Sequence, residues 1–254
     1  MIPARGRVEE AVAVLRDTDR QRERTLAMLF HELRGPISTA RGWLFLLRRL
    51  PQGGEQAWRA VDTIDRQLAH LARLVEDLLD LSRIREGKMR LERTRLDLAQ
   101  LTRRVFDQHA TFFTAKGLEL RAEIPVGPIW MEGDAGRLEQ VIRNLLENAA
   151  KFTQGEGLVT LTLKADVTAP IARLRLRDTG PGFEPALRET LFEAYEQVED
   201  TVPWSEGGLG LGLAVVKNIV ELHGGTVEAH SEGPGKGAEF VVGLPLSSAL
   251  APQV

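Results

Sequence analysis

Residues 30–37, Phe-His-Glu-Leu-Arg-Gly-Pro-Ile, place an imidazole beside a carboxylate, with Pro36 five residues after His31. Neutral imidazole is a competent nucleophile near neutrality, because its unperturbed pKa is about 6.5. Glu32 is the natural acceptor for the proton that such a nucleophile sheds. Neighbouring helical residues point about 100° apart, so contact between the two depends on the flexible glutamate stem. A proline inside a helix removes one backbone hydrogen bond and clashes with the carbonyl four residues back, at roughly 3 kcal/mol. The apolar pattern continues beyond Pro36 at Leu44, Phe45 and Leu47, so the helix is expected to bend there rather than end. Taken alone, a histidine in such a helix is as readily a solvated residue, and His70, His109, His223 and His230 keep that plain reading.

Three further constellations could do chemistry. Within 134–152, Leu138, Val141, Leu145, Ala149 and Phe152 form an apolar stripe, and Arg137, Gln140, Asn144, Glu147, Asn148 and Lys151 gather roughly 100–180° away from it. Most such faces are simply solvated, but asparagine is a poor helix former, and two of them four residues apart suggest a task. Side-chain carbonyls suit Mg²⁺, a hard cation that shares oxygen ligands with phosphates, and Lys151 would add positive charge. Asp178-Thr-Gly-Pro-Gly-Phe183 follows a strand and is by itself a turn sequence. Gly207-Gly-Leu-Gly-Leu-Gly-Leu213 opens a helix, where free N–H groups and a partial positive charge favour phosphate. No Gly-Lys-Ser/Thr follows it and no βαβ frame surrounds it, so neither a Walker A motif nor a dinucleotide fold is indicated.

The elements that must hold these residues fall into two groups. Residues 8 to about 50 read as one helix, Pro51-Gln-Gly-Gly54 breaks it, and a second helix runs from about Glu55 to Arg85. Val61, Ile64, Leu68, Leu71, Val75 and Leu78 alternate there by three and four, a heptad seam. Two antiparallel helices cannot bury such seams against each other completely, so pairing of two hairpins in a homodimeric four-helix bundle is expected. Pairing with the C-terminal half is the alternative. After Gly87 and the charged stretch 88–95 the pattern becomes mixed: a strand end at 96–98, a helix at about 100–115, a strand at 118–124, the helix 134–152, strands at 157–165 and 171–178, a helix at 210–223, and strands near 225–231 and 237–244.

The chain has 254 residues, 43% hydrophobic and 27% charged, with a formal net charge of -3. It can form one or two domains with real cores, and it offers no reason to expect nucleic-acid or anionic-membrane binding. Cysteine is absent, which excludes disulfides, thiolate metal sites and cysteine nucleophiles. No apolar run approaches the 18 or so residues of a membrane span, and the N-terminus lacks a signal peptide's apolar stretch. A cytoplasmic protein is expected, unless the chain is cut from a longer membrane receptor.

Taken together, the octapeptide around His31 resembles the H box of sensor histidine kinases, Asn144 to Phe152 the N box of the GHKL ATPases, 178–183 their first glycine box and 207–213 the second. Phe192 falls on the F box, 196–206 fits an ATP lid, and His223-Gly-Gly225 and Gly235-Lys-Gly237 follow the closing pattern. The resemblance covers about residues 24–246. It implies an N-terminal extension (1–23), a dimerisation and histidine phosphotransfer domain (24–87), a catalytic α/β sandwich of the GHKL (Bergerat) type (88–246) and a tail (247–254).

By the same resemblance, His31 accepts phosphate from ATP with Glu32 as general base, and Asn148 holds Mg²⁺ with Asn144 and Lys151 in support. Asp178 accepts from the adenine amino group, Gly180 and Gly182 admit the base and ribose, and Gly208, Leu209, Gly210, Leu211 and Gly212 clamp the triphosphate. The phosphoryl group is then expected to reach an aspartate on a separate response regulator receiver domain, with input from a separate sensor protein an open alternative. Related kinases usually carry Thr or Asn four residues after the histidine; Gly35 stands there instead, which implies weak phosphatase activity. Two other classes stay open: a binding module whose helical bundle is a docking scaffold, and a chaperone-like or DNA-repair GHKL ATPase.

Overall fold

A computed structural model describes residues 27, 29, 30, 33–49, 54–166, 169–194 and 210–246. The chain divides into two compact units, Met1–Glu76 and Asp77–Val254. His31, Glu32, Gly208, Leu209 and the whole of the expected lid (196–206) lie outside the described residues.

In the first unit, helix α1 spans residues 33–47 without a break at Pro36, so the proline does not end the helix. Helix α2, Glu55–Arg85, starts in this unit and continues past its boundary at Glu76, with Glu55 in its first turn and Arg83 and Arg85 in its last, the arrangement the helix dipole favours. Its heptad positions Val61, Leu68 and Val75 are 44%, 54% and 48% exposed, whereas Ala60 and Leu74 are buried. Among the described residues, an apolar stripe at seven-residue spacing is therefore left exposed.

The second unit holds a mixed five-stranded sheet in the order β2-β4-β5-β7-β6, built from β2 (Glu119–Glu123), β4 (Leu158–Asp166), β5 (Ile171–Asp178), β6 (Thr226–His230) and β7 (Ala238–Pro245). Strands β2 and β4 are parallel and the remaining pairs antiparallel. Alternation along β5 buries Ala172, Leu174 and Leu176 and exposes Arg173, Arg175 and Arg177, as expected of a sheet covered on one face only. Helices α3 (Leu98–Ala115), α4 (Ala135–Phe152) and α5 (Gly212–Leu222) supply the other layer of the core, through Val105, Leu145 and Val216 among others.

A second, two-stranded ladder pairs β1 (Thr94–Asp97) with β3 (Trp130–Gly133). Strand β3 was not expected from the sequence; at four residues it gives only two buried positions, too few for a period to register. The ladder carries two aspartates that position helices. Asp97 Oδ1 accepts from Ala99 N at 2.9 Å, capping α3, and from Ile129 N at 2.9 Å. Asp134 caps α4 by accepting from Arg137 N at 3.1 Å, and its other oxygen accepts from Glu92 N at 3.0 Å. Each carboxylate thus satisfies a helix-start N–H while tying to that start a segment just ahead of the other strand of the ladder.

His223, at the C-terminal end of α5, is buried. Its Nδ1–H donates to the Ile219 carbonyl at 2.8 Å, and its Nε2 accepts the Asp134 N–H at 3.0 Å. Both ring nitrogens are satisfied only in the neutral tautomer. Burial pushes the pKa below the ordinary histidine value, helped by Arg93 and opposed by the Ile219 carbonyl and Asp134. The unfolded chain therefore takes up this proton first. The stability contributed by neutral His223 is present above the ordinary range and is lost as pH falls through it toward the lower folded value. Thermal melts between about pH 5 and 8 should show this slope, and His223→Leu should flatten it while costing about 1–3 kcal/mol for the orphaned Asp134 N–H. An unchanged slope in the variant would refute the assignment.

Candidate active site

Helix α4 is the backbone of the site. From its N-cap Asp134, ten residues carry it about 15 Å to Asn144 at 1.5 Å per residue. Helix α5 runs back alongside, from Gly212 to the His223 anchor. The two helices meet again at Asn144, whose Nδ2 donates to the Gly212 carbonyl at 3.4 Å. A Cβ added to Gly212 would lie 3.7 Å from the Asn144 amide nitrogen, so the start of α5 lies in direct contact with the asparagine.

That start is a phosphate-compatible terminus. Leu211 occupies the N-cap with no side-chain hydrogen bond, so the capping position itself does not consume the first N–H groups of the helix. Leu211 itself is buried, and Gly210 takes a φ of 65° to turn the chain into the helix. Of the expected phosphate clamp, Gly210, Leu211 and Gly212 are thus described.

One turn beyond Asn144 is Asn148, half-buried, with no hydrogen-bond partner for its amide among the described residues. Lys151, half-buried, sets Nζ 4.7 Å from the Phe152 ring centroid. The helix then ends against the β5 loop: a Cβ on Gly180 would come within 3.2 Å of the Phe152 carbonyl and 2.8 Å of Asp178 Oδ1.

Asp178 is 5% exposed. Its Oδ1 accepts from Gly180 N at 2.8 Å and from Ala238 N at 3.3 Å, and Oδ2 accepts nothing from the described residues. Burial raises the carboxyl pKa, and the Gly180 and Ala238 N–H groups pull it back. One oxygen is committed to holding the loop and the other is left as an acceptor.

The glycines of this loop are also crowded by the chain itself. Gly182 has a φ of 65°, where side chains are disfavoured, and a Cβ there would lie 2.5 Å from the Gly233 carbonyl and 2.7 Å from Ser231 Oγ. Close approach at Gly180 and Gly182 is therefore to the chain's own backbone, which braces Asp178 from behind. Phe192 is buried beside this region and stacks edge-to-face on Phe240 at 6.5 Å.

The N-terminal end of the α4 polar face serves another partner. Arg137 Nη1 donates to Asp80 Oδ2 at 2.6 Å, and Gln140 Nε2 donates to the same oxygen at 2.9 Å. Asp80 is buried. Arg137 and Gln140, grouped from helical periodicity with the candidate nucleotide face, are engaged by the end of α2 instead. Removing one partner of such a buried pair typically costs about 3–5 kcal/mol. Beside it, burial pushes the Asp77 carboxyl up to about 6, opposed by Arg143 and assisted by Asp80. This cluster was not singled out from the sequence. Its only trace there is acids at three-residue spacing, Asp77 and Asp80, late in a long helix.

A helical layer over a mixed sheet, with a braced, buried aspartate at one end of α4 and an uncapped helix start beside its middle, defines a nucleotide-binding domain. The comparisons specify the class. Residues 133–248 match the model of the histidine kinase-, DNA gyrase B- and HSP90-like ATPases, and residues 21–87 that of the His Kinase A (phospho-acceptor) domain. The chain belongs to the sensor histidine kinases of two-component systems, with the helical hairpin and α/β sandwich of that family. It is 36% identical over 242 residues to the sensor histidine kinase TmoS of Ectopseudomonas mendocina, covering 95% of this chain and 25% of that protein. It is 36% identical over 217 residues to the probable sensor histidine kinase TcrY of Mycobacterium tuberculosis, covering 85% of this chain and 44% of that one. The chain thus spans less than half the length of either relative. Among solved structures, full-length ShkA in complex with AMPPNP superposes with a TM-score of 0.64 at 34% identity, over 89% of this chain and 46% of that one.

The uncommitted oxygen of Asp178 gives a direct test. Asp178→Asn should weaken ATP binding by about tenfold or more, the value of one hydrogen bond to a charged acceptor, with little change in GTP binding. Calorimetric titration of both nucleotides checks this, and equal affinity for ATP in the variant would reject the assignment.

Proposed function

We propose that this chain is the catalytic core of an ATP-dependent protein histidine kinase, which phosphorylates itself on His31 and passes the phosphoryl group to an aspartate of a separate response regulator receiver domain. The observation that carries the nucleotide half of this reading is Asp178, braced through one oxygen and open at the other, in line along α4 with the uncapped start of α5. The phospho-acceptor half rests on the H box and on the match of residues 21–87. On this reading 24–87 is the phosphotransfer domain and 88–246 the ATP-binding domain.

In the first step a ring nitrogen of His31 attacks the γ-phosphorus, the bond to the bridging oxygen of ADP breaks, and Glu32 receives the proton lost from the other ring nitrogen. Asp178 fixes the adenine through its amino group, which favours adenine because guanine presents an oxygen there. The N–H groups at Gly212 and its neighbours hold the phosphates, with Gly208 and Leu209 completing the clamp. Asn148, with its unpartnered amide, fits a metal shared with the phosphates, supported by Asn144 and Lys151. No cluster of three or more acidic or histidine side chains suited to a metal occurs among the described residues, in keeping with an ion held largely by the nucleotide. Mg²⁺ bound there would neutralise charge on the phosphates.

The open stripe of Val61, Leu68 and Val75 supports a homodimeric four-helix bundle, since burying it removes apolar surface from water. Among the described residues no helix is long and apolar enough to cross a membrane, and we place the chain in the cytoplasm.

Incubation with γ-labelled ATP should yield an acid-labile, base-stable phosphoprotein, and His31→Gln should abolish the label. Label surviving that substitution would reject the site. Gly35 is exposed on α1, and an added Cβ there meets nothing within 4 Å, so a larger residue fits without rearrangement. The wild-type chain is expected to be a weak phosphatase. Gly35→Thr, which can position a water, should speed loss of the receiver's aspartyl phosphate on the order of tenfold. A fast wild-type phosphatase, or no effect of the substitution, would overturn the role given to this position.

A further inference from the structure

On the uncovered face of the five-stranded sheet, cations outnumber acids around the central strand, Lys164, Arg173, Arg175 and Arg177 against Glu123, Asp166 and Glu239. Three arginines, Arg173, Arg175 and Arg177, follow one another at every second residue of the central strand β5, all exposed. Lys164 of β4 stands directly across from Arg173 in the register. Like charges directly opposite in a sheet are destabilising. Arg173 pairs with Asp166 at 2.9 Å. Among the described residues, Arg175, Arg177 and Lys164 have no ion-pair or hydrogen-bond partner, although Glu239 lies opposite Arg177 in the register. These cations line a concavity of about 770 Å³ whose floor includes Thr160 and Thr162.

We propose that this face is a docking surface for an extended, acidic segment of a protein partner, with carboxylates on alternate residues paired to Arg175 and Arg177 and continuing toward Lys164. The spacing selects the form of the occupant. Side chains two apart on a strand lie about 6.6 Å apart, which an extended peptide with an acid at every second position reproduces. A compact acidic loop does not. Guanidinium groups favour carboxylates through paired N–H···O bonds. Glu123, Asp166 and Glu239 also line the concavity. Their charge disfavours a uniform polyanion such as a nucleic acid or an anionic bilayer, and suits a protein segment that places its acids selectively. The surface is separate from the α4–α5 nucleotide site, lying on the opposite face of the sheet.

The probe is a fluorescent dodecapeptide with glutamate at alternate positions and threonine between, titrated into the full chain at low ionic strength and followed by anisotropy. Saturable binding is expected, at least about fivefold tighter than for a peptide of the same composition with its glutamates in one block. Charge reversal in Arg175→Glu/Arg177→Glu should weaken binding about tenfold or more, and Arg175→Gln/Arg177→Gln by less. ATP binding and thermal unfolding should stay at wild-type values, which separates loss of the surface from loss of the fold. Absence of binding, equal affinity for the two peptides, or indifference to charge reversal would overturn the proposal. So would tighter binding, through the same arginines, of a single-stranded oligonucleotide or phosphatidylserine vesicles.

Discussion

The candidate nucleotide site depends on the register between two antiparallel helices, packed through buried side chains and tied at one end by a single imidazole. His223 bonds the end of its own helix through Nδ1 and the start of α4 through Nε2. From that pin, ten residues of α4 and eleven of α5 run side by side over about 15 Å before Asn144 meets Gly212. A helical rise is rigid, so an error at the pin would appear at the far end as a phosphate-binding turn out of line with the asparagine. Proton uptake by His223 attacks the pin directly, which links the acid sensitivity of the fold to the integrity of the site.

The polar face of α4 is divided by the same geometry. Its first half, Arg137 and Gln140, is engaged by Asp80, whereas in its second half Asn144 bonds the Gly212 carbonyl and Asn148 has no partner among the described residues. Periodicity alone groups all of them, because it reports direction around the helix and nothing of what lies opposite. The loop at Asp178 shows the complementary point. A turn rich in glycine reads as a place for a ligand to approach, yet Gly180 and Gly182 are small because the chain's own carbonyls and hydroxyl come close. The same crowding surrounds Asp178, whose Oδ1 is held by Gly180 N and Ala238 N.

Much of the architecture was legible because its signals are repetitive. The buried alternation of Leu174 and Leu176 with the arginines gave β5 its exact ends, and the stripe through Leu138, Val141 and Leu145 gave α4 within one residue. The start of α5 was placed two residues early because glycines at 210–212 belong to the turn as readily as to the helix. Strand β3 escaped notice because four residues carry almost no period. Capping by Asp97 and Asp134 was present in the sequence as aspartates before helical runs, but their second bonds, to Ile129 and Glu92, join distant segments that no local pattern connects. The Asp80–Arg137 pair was invisible for the same reason, being 57 residues apart.

That pair also bears on how modules of this kind can be recombined. The glycine turn at Gly87 looks like the natural seam between the helical portion and the ATPase portion. A chimera joined there would take Asp80 from one parent and Arg137 with Gln140 from the other, stranding a guanidinium or a carboxylate in a largely dry environment. Splicing between Glu76 and Asp77 keeps the ionic lock with the layer it fastens. The last turns of α2 thus travel with the sandwich as part of its inheritance.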